Sequence, residues 1–163
     1  MRDILIVYYS RTGRTRLVAE RLAALLEADV AEITERKARA GVLGYLGAGK
    51  DTVMKRDAEL VSCPGVGGHK VVVLGMPVWG FGPPAAMRAW LKRTDLSGCK
   101  VCGFATMDGS GAERTLAKVA EIIGAPLAAT LALIKPREGD AEMEAKLKEW
   151  AQKVLRDQDS REL

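Results

Sequence analysis

Hydrophobic and polar residues alternate in two different patterns along this chain. Ile4–Tyr9 and Val71–Gly75 each begin with four consecutive apolar residues and run into turn-forming sequence, which predicts strands covered on both faces. Asp29–Thr34 alternates apolar and polar residues, which predicts a strand at a sheet edge. Further strands are predicted over Cys99–Thr106 and Leu127–Ile134.

The segments between these strands carry apolar residues at intervals of three and four, which is the spacing of one face of a helix. Helices are predicted over Thr15–Ala28, Ala85–Arg93, Ala112–Ile123 and Asp140–Leu155. Ser110 and Glu113 have the spacing of a capping box, so we expect Ser110 to cap the third of these helices. Residues 36–68 are rich in glycine and basic residues, and we expect one short helix near Leu43–Met54 with irregular chain on either side.

This alternation of five strands with about five helices predicts an α/β protein. The sheet is expected to be parallel and covered by helices on both faces, as a three-layer sandwich. The 163 residues are enough for one domain with its own core, which we place at residues 1–156, followed by a polar tail over residues 157–163.

Composition narrows the classes of function. The net charge is +4, with no basic stripe of interleaved aromatic residues, so nucleic-acid binding is not expected. Apolar runs such as Val71–Leu74 are too short to span a membrane. Three cysteines and no evident secretion signal favour a reducing compartment, and we expect a cytoplasmic protein.

Three apparent chemical motifs are weak evidence for a site. Cys99 and Cys102 are three residues apart in a predicted strand and should point to opposite faces, so they cannot share a metal ion or a disulfide. His69 has no second ligand nearby in the sequence and is expected at a strand end rather than in a metal site. Residues 44–50 fit half of a P-loop, but Asp51 replaces the Ser or Thr that would bind Mg²⁺, and no buried strand comes before them.

Three loops that follow buried strands carry the candidate chemistry. The first loop, residues 10–15, is dense in hydroxyls and runs into a helix, whose free N–H groups and dipole favour a phosphate. The second loop, residues 76–84, displays Trp79 and Phe81, on which a planar ligand could stack. The third loop, residues 106–111, adds glycines and a single carboxylate, Asp108. Because parallel strands end at one edge of the sheet, these loops predict one ligand with a phosphate and a flat ring.

The first loop, Ser10-Arg11-Thr12-Gly13-Arg14-Thr15, resembles the S-x-T-G-N-T phosphate loop of the flavodoxin family. The second and third loops are similar to that family's two flavin-flanking loops, and the chain is similar to its short-chain form. The resemblance implies a flavodoxin-like fold with strand order 2-1-3-4-5 and one noncovalent FMN. Its phosphate would be held by Ser10, Thr12, Gly13, Arg14 and Thr15, and its isoalloxazine ring would lie against Trp79. The implied cofactor-binding set is Ser10, Arg11, Thr12, Gly13, Arg14, Thr15, Pro77, Val78, Trp79, Gly80, Phe81, Thr106, Met107, Asp108, Gly109 and Gly111, with no catalytic side chain and no metal.

Two departures from the family pattern affect the expected chemistry. Arg14 stands where the family usually has Asn, and Arg11 adds a second cation; an arginine can pair with a phosphate through two hydrogen bonds. Electron-carrier flavodoxins are typically acidic around the flavin, whereas these loops offer only Asp108. We therefore expect a less negative redox potential than that of a dedicated low-potential carrier.

Three functions follow from this resemblance. The leading one is electron transfer through the bound flavin, with a redox protein or a small molecule as donor or acceptor. The second is an NAD(P)H-dependent flavin or quinone reductase, for which residues 36–68 could supply a wall or a homodimer surface. The third is an interaction domain that has lost FMN. A pyridine-dinucleotide Rossmann domain is not expected, because G-x-G-x-x-G is missing after the first strand.

Overall fold

The computed structural model describes residues 2–36, 59–80 and 82–159. In chain order, the strands are β1 (Ile4–Tyr8), β2 (Asp29–Glu32), β3 (Thr34–Glu35), β4 (Leu60–Ser62), β5 (Val71–Pro77), β6 (Lys100–Met107) and β7 (Thr130–Ile134). The helices of these ranges are α1 (Arg14–Leu26), α2 (Ala85–Arg93), α3 (Ala112–Ile123) and α4 (Ala141–Asp159).

Five strands form one parallel sheet in the order β2-β1-β5-β6-β7. Counted along this sheet alone, the order is 2-1-3-4-5, which confirms the predicted topology. The direction of strand addition reverses at β1, which has β2 on one side and β5 on the other. In open α/β sheets, the crevice for ligands lies at this reversal, outside the carboxyl ends of the strands.

The sheet separates two hydrophobic cores, as strands covered on both faces require. Successive residues of β1 enter opposite cores: Ile6 packs in one and Val7 in the other, and both are fully buried. The first core is closed by α1 and α4, and the second by α2 and α3. The predicted apolar stripe of α4 is buried in the first core, at Met143, Leu147, Trp150, Ala151 and Val154.

The predicted edge strand Asp29–Thr34 divides into two strands that belong to different sheets. Ile33 lies between β2 and β3, is buried in the second core, and donates its N–H to the Tyr8 carbonyl at 2.8 Å. Past this point, β3 leaves the main sheet and pairs antiparallel with β4. The prediction of irregular chain was therefore wrong at Leu60–Ser62, because three residues are too few to show a period of two. The helix predicted near Leu43–Met54 lies outside the described residues.

The predicted capping box at Ser110 and Glu113 was also wrong. The N-cap of α3 is Gly111, in a left-handed conformation with φ of 103°, and no side chain caps the helix. The left-handed turn moves the start of the helix one residue beyond Ser110. Glu113 still lies in the first turn, where its charge complements the helix dipole.

The cysteines lie as their spacing predicted, on opposite sides of the sheet. Cys102 is buried in the first core, whereas Cys99 comes just before β6 and packs against the second. The Cys99 thiol donates to the His69 carbonyl at 3.4 Å, and burial, assisted by Asp95, raises its pKa. Among the residues described, no helix has both the length and the apolar character to cross a bilayer.

A partly buried pair, His69 and Asp29, joins the start of β2 to the segment before β5. The ring of His69 lies 2.8 Å from the Asp29 carboxylate, through Nε2 and Oδ2, and the Arg2 N–H donates to the same oxygen at 3.1 Å. Chiefly because of the hydrogen bond with His69, the pKa of Asp29 lies below its ordinary value. The charged carboxylate therefore stabilises the fold above the unfolded-state pKa of about 3.9, and this contribution is lost as the pH falls through the folded-state pKa.

The Asp29→Asn variant is expected to lose less of its thermal stability in acid than the wild type does. Its amide does not titrate, so the part of the acid sensitivity linked to Asp29 is absent. The measurement is the fall in Tm between about pH 5 and about pH 3, with Glu149→Gln on the exposed side of α4 as the control. An equal fall in Asp29→Asn and in the wild type would contradict the assignment.

Candidate functional site

The first, second and third loops follow β1, β5 and β6 and meet at the carboxyl edge of the sheet. The Thr15 hydroxyl in the first loop lies 2.9 Å from the Thr106 hydroxyl in the third, and both side chains are buried. The Val78 N–H of the second loop donates to the Thr106 carbonyl at 2.9 Å. Thr106 therefore ties all three loops together, and the convergence expected from the sequence is present.

The first loop is wrapped around the Ser10 side chain. Its Oγ accepts the N–H of Gly13 at 3.1 Å and the N–H of Arg16 at 3.3 Å. Gly13 is the N-cap of α1 and has φ of 94°, a left-handed conformation that other residues rarely adopt. The N–H groups of Arg14 and Thr15, in the first turn of α1, have no acceptor within the helix. These two N–H groups are therefore available as donors to an anion, and the positive end of the helix dipole favours a negative charge at the same place.

The arginines of the first helical turn have partners that the sequence did not reveal. The Arg14 guanidinium lies 2.6 Å from the Asp108 carboxylate and joins the first loop to the third. Both side chains are largely exposed, so this ion pair contributes little to folding. Arg16 donates to the Tyr8 hydroxyl at 3.3 Å and pairs with Glu32 at 2.7 Å, and these contacts raise its pKa. Arg14 thus spans the site, whereas Arg16 is held at the edge of the sheet.

The indole of Trp79 in the second loop is half-buried and is packed by Tyr9, which directly follows β1, and by Arg11 of the first loop. Tyr9 meets it edge-on, with ring centroids 5.4 Å apart and planes at 90°. The Arg11 guanidinium lies over the indole, with its carbon 5.6 Å from the ring centroid. Tyr9 in turn donates its hydroxyl hydrogen bond to the Glu35 carboxylate in β3. The short ribbon of β3 and β4 is therefore connected to the aromatic part of the site.

Sequence reasoning missed Tyr9 and Glu35 as part of this site. Tyr9 carries a usable signal, since it is an aromatic residue at the carboxyl end of a buried strand, directly before the first loop. Glu35 carries none, because its position depends on the pairing of β3 with β4. Phe81, which was predicted to belong to the site, lies outside the described residues.

Two glycines of the third loop differ in their surroundings: Gly111 is closely packed, whereas Gly109 has open space around it. A Cβ at Gly111 would lie 2.9 Å from Cγ1 of Val78, and the residue has a positive φ, so a side chain there would be strained and crowded. At Gly109 an added Cβ would meet nothing within 4 Å. The main chain at Gly109 is exposed and open to a ligand, whereas Gly111 fixes the distance between the second and third loops.

The predicted site residues therefore fall into two groups. Thr15 and Thr106 are buried and bonded to each other. The second group is partly or fully exposed around the edge of the sheet: Ser10, Arg11, Thr12, Gly13, Arg14, Pro77, Val78, Trp79, Gly80, Met107, Asp108, Gly109 and Gly111.

The fold defines a class: doubly wound α/β proteins, in which ligands bind in a crevice outside the carboxyl ends of the strands. A sequence profile described as flavodoxin matches residues 3–154, which is most of the chain. The chain therefore belongs to the flavodoxin family, and the predicted family is confirmed.

Solved structures share the fold at low sequence identity. A candidate flavoprotein from Bacteroides uniformis has a TM-score of 0.79 at 19% identity, covering 92% of this chain and 97% of that one. A flavoprotein from Lactobacillus acidophilus, solved in complex with FMN, has a TM-score of 0.68 at 16% identity, covering 93% and 99%. A flavodoxin from Streptococcus pneumoniae has a TM-score of 0.58 at 18% identity, covering 94% and 98%. At such identities the likeness concerns the fold, and no curated protein matches the chain.

Proposed function

We propose that this protein binds one FMN noncovalently and transfers electrons through it. The observation that carries the proposal is that the first loop, which ends at the N-terminus of α1, and the indole of Trp79 meet at one edge of the sheet. Arg11 connects the two, because it belongs to the first loop and lies 5.6 Å from the centre of Trp79. A ligand that uses both features needs an anionic group and a planar ring, and FMN has both.

The first loop fits a phosphate by its donors and by its shape. Main-chain N–H groups of Arg14 and Thr15 lack helical acceptors, and the Ser10 and Thr12 hydroxyls add side-chain donors. Ser10 already accepts two N–H groups through its oxygen, so its own hydrogen is left to donate to an anion. The ion pair of Arg14 with Asp108 supports a second role for Arg14, that of joining two loops around the ligand, in addition to the phosphate contact expected from the sequence.

The second and third loops fit a planar ring. Trp79 offers an aromatic surface, and Tyr9 and Arg11 hold it in place. Exposed main chain at Gly80 and Gly109 offers hydrogen-bonding groups without side chains to block approach. When bound, FMN would supply the redox chemistry itself, so the chain needs no acid or base of its own.

The test is a titration of the purified, flavin-free chain with FMN and, in parallel, with riboflavin, which lacks the phosphate. Quenching of flavin fluorescence reports binding. We expect micromolar or tighter binding of FMN and at least about tenfold weaker binding of riboflavin, because hydrogen bonds to a charged group contribute about 1.5–3 kcal/mol. Failure to bind FMN would contradict the proposal, and equal affinity for both flavins would contradict the phosphate role of the first loop.

A second measurement separates a carrier from a reductase. Mixing the FMN-loaded protein with NADPH in the absence of oxygen and following flavin absorbance gives the rate of direct reduction. We expect no bleaching within seconds, as for a carrier that receives its electrons from another redox partner. Rapid bleaching would instead assign the NAD(P)H-dependent reductase activity.

A further inference from the structure

We propose that Glu35, in the short ribbon of β3 and β4, is a positioning residue for the flavin ring and acts through Tyr9 and Trp79. The inference rests on the proposed binding of FMN and gives the ribbon a part in that binding. Two contacts carry it: the Tyr9 hydroxyl donates to the Glu35 carboxylate, and the Tyr9 ring meets the indole of Trp79 edge-on. Tyr9 therefore links the ribbon to the aromatic surface on which a flavin would lie.

Tyr9 is held firmly at its main chain and along its ring. Its N–H donates to the Gly75 carbonyl at 3.0 Å, which continues the pairing of the sheet past β1. Its side chain packs in the second core and is only 6% exposed. The hydroxyl lies at the far end of the ring, so a hydrogen bond there fixes the ring about its side-chain torsions. The orientation of this ring in turn supports the indole of Trp79, 5.4 Å away between centroids.

The ribbon gives Glu35 an anchored base beside the site. Its strand β3 follows Ile33 directly, and Ile33 is buried and bonded to the main chain of β1. The other strand, β4, is also tied to the main sheet, because the Ser62 hydroxyl donates to the Glu32 carbonyl at 3.1 Å. The Glu35 carboxylate is therefore presented to Tyr9 by main chain that is fixed on both strands of the ribbon.

The hydrogen bond between Tyr9 and Glu35 is of a kind that suits this role. A hydroxyl that donates to a carboxylate makes a charge-assisted bond, which is stronger than a bond between neutral groups. Without it, Tyr9 and the indole would be less restricted, and flavin binding would have to order them at a cost in affinity. That cost concerns the ring of the flavin and not its phosphate, because the phosphate donors lie in the first loop.

The experiment titrates the flavin-free wild type and its variants with FMN and with riboflavin, and also measures the residual fluorescence of the flavin at saturation. In Tyr9→Phe and in Glu35→Ala, we expect the affinities for both flavins to fall by the same factor, about threefold to tenfold, as for the loss of one hydrogen bond. The bound flavin should also fluoresce more strongly, because a less restricted indole quenches it less.

Three further variants test the path from Glu35 to the ring. Glu35→Gln keeps an acceptor for the Tyr9 hydroxyl and should retain most of the affinity. The double variant Tyr9→Phe/Glu35→Ala should lose no more than either single variant, since both remove the same bond. Glu59→Ala is the matched control: it removes an exposed carboxylate that lies next to β4 and pairs with Arg36, and it should change neither affinity nor fluorescence.

Other results would separate the inference from the function on which it rests. Wild-type affinity in Tyr9→Phe or Glu35→Ala, unchanged flavin fluorescence, or a loss confined to FMN would overturn the role of Glu35 and leave FMN binding in place. Additive losses in the double variant, or an equal loss in Glu59→Ala, would do the same. A wild type that binds no FMN would overturn both the inference and the proposed function.

Discussion

The Ser10→Ala variant is expected to bind FMN on the order of tenfold to a hundredfold more weakly than the wild type. The substitution removes a hydroxyl that can donate to the phosphate, and a hydrogen bond to a charged group contributes about 1.5–3 kcal/mol. It also removes the acceptor of the Gly13 and Arg16 N–H groups, at 3.1 and 3.3 Å, so the first loop loses its internal support. Titration of flavin-free protein with FMN measures the change.

Riboflavin and a second variant make this test specific. Because riboflavin has no phosphate, Ser10→Ala should alter its affinity much less than that of FMN. Thr94→Ala is the matched control, since it deletes a hydroxyl that donates to the Trp90 carbonyl at 2.8 Å, at the far end of α2 from the loops. If Ser10→Ala bound FMN as tightly as the wild type, the first loop would not be the phosphate site.

The Gly75→Ala variant is expected to lower the free energy of unfolding by about 3 kcal/mol, at the upper end of the range for overpacked cores. A Cβ at Gly75 would lie 2.2 Å from Cζ of Phe104, on the neighbouring strand. Phe104 is fully buried, so its ring cannot move without disturbing the first core. For a domain of this size, 3 kcal/mol corresponds to a fall in Tm of roughly 6–12 °C.

A double-mutant cycle tests whether the ring of Phe104 is the cause. The double variant Gly75→Ala/Phe104→Leu should be more stable, by about 1 kcal/mol or more, than the summed losses of the two single variants imply. The reason is that the effects of substitutions on the free energy of unfolding are not additive when the two residues are in contact. Gly98→Ala is the control: an added Cβ there meets nothing within 4 Å. Additive effects of Gly75→Ala and Phe104→Leu would show that the strain lies in the strand itself.

Regular elements were the most predictable part of this protein. The apolar runs of β1 and β5 and the stripe of α4 are repeated patterns, so burial on one or both sides could be deduced from many residues at once. The carboxyl-edge position of the loops followed from the alternation of strands and helices. Short or local features were less predictable: β4 has only three residues, and a left-handed Gly111 displaced the cap expected at Ser110.

Side-chain pairing around the site could not be predicted, because it joins residues that are distant along the chain. Arg14 and Asp108 are 94 positions apart, and Tyr9 and Glu35 are 26 apart. Long polar side chains have many accessible partners, and the choice depends on how closely the loops approach one another. The sequence suggested a phosphate contact for Arg14, whereas the structure adds the bridge to Asp108.

By itself, the sequence determined the layered architecture, the family, and the three loops that share one edge of the sheet, since these depend on periodicity and on the order of elements. Tertiary structure alone decided that Thr106 ties the loops together, that Arg11 covers Trp79 and that Arg14 reaches Asp108. The physical reason is that periodic burial averages over many residues, whereas a polar contact requires two particular groups to meet within a few ångströms.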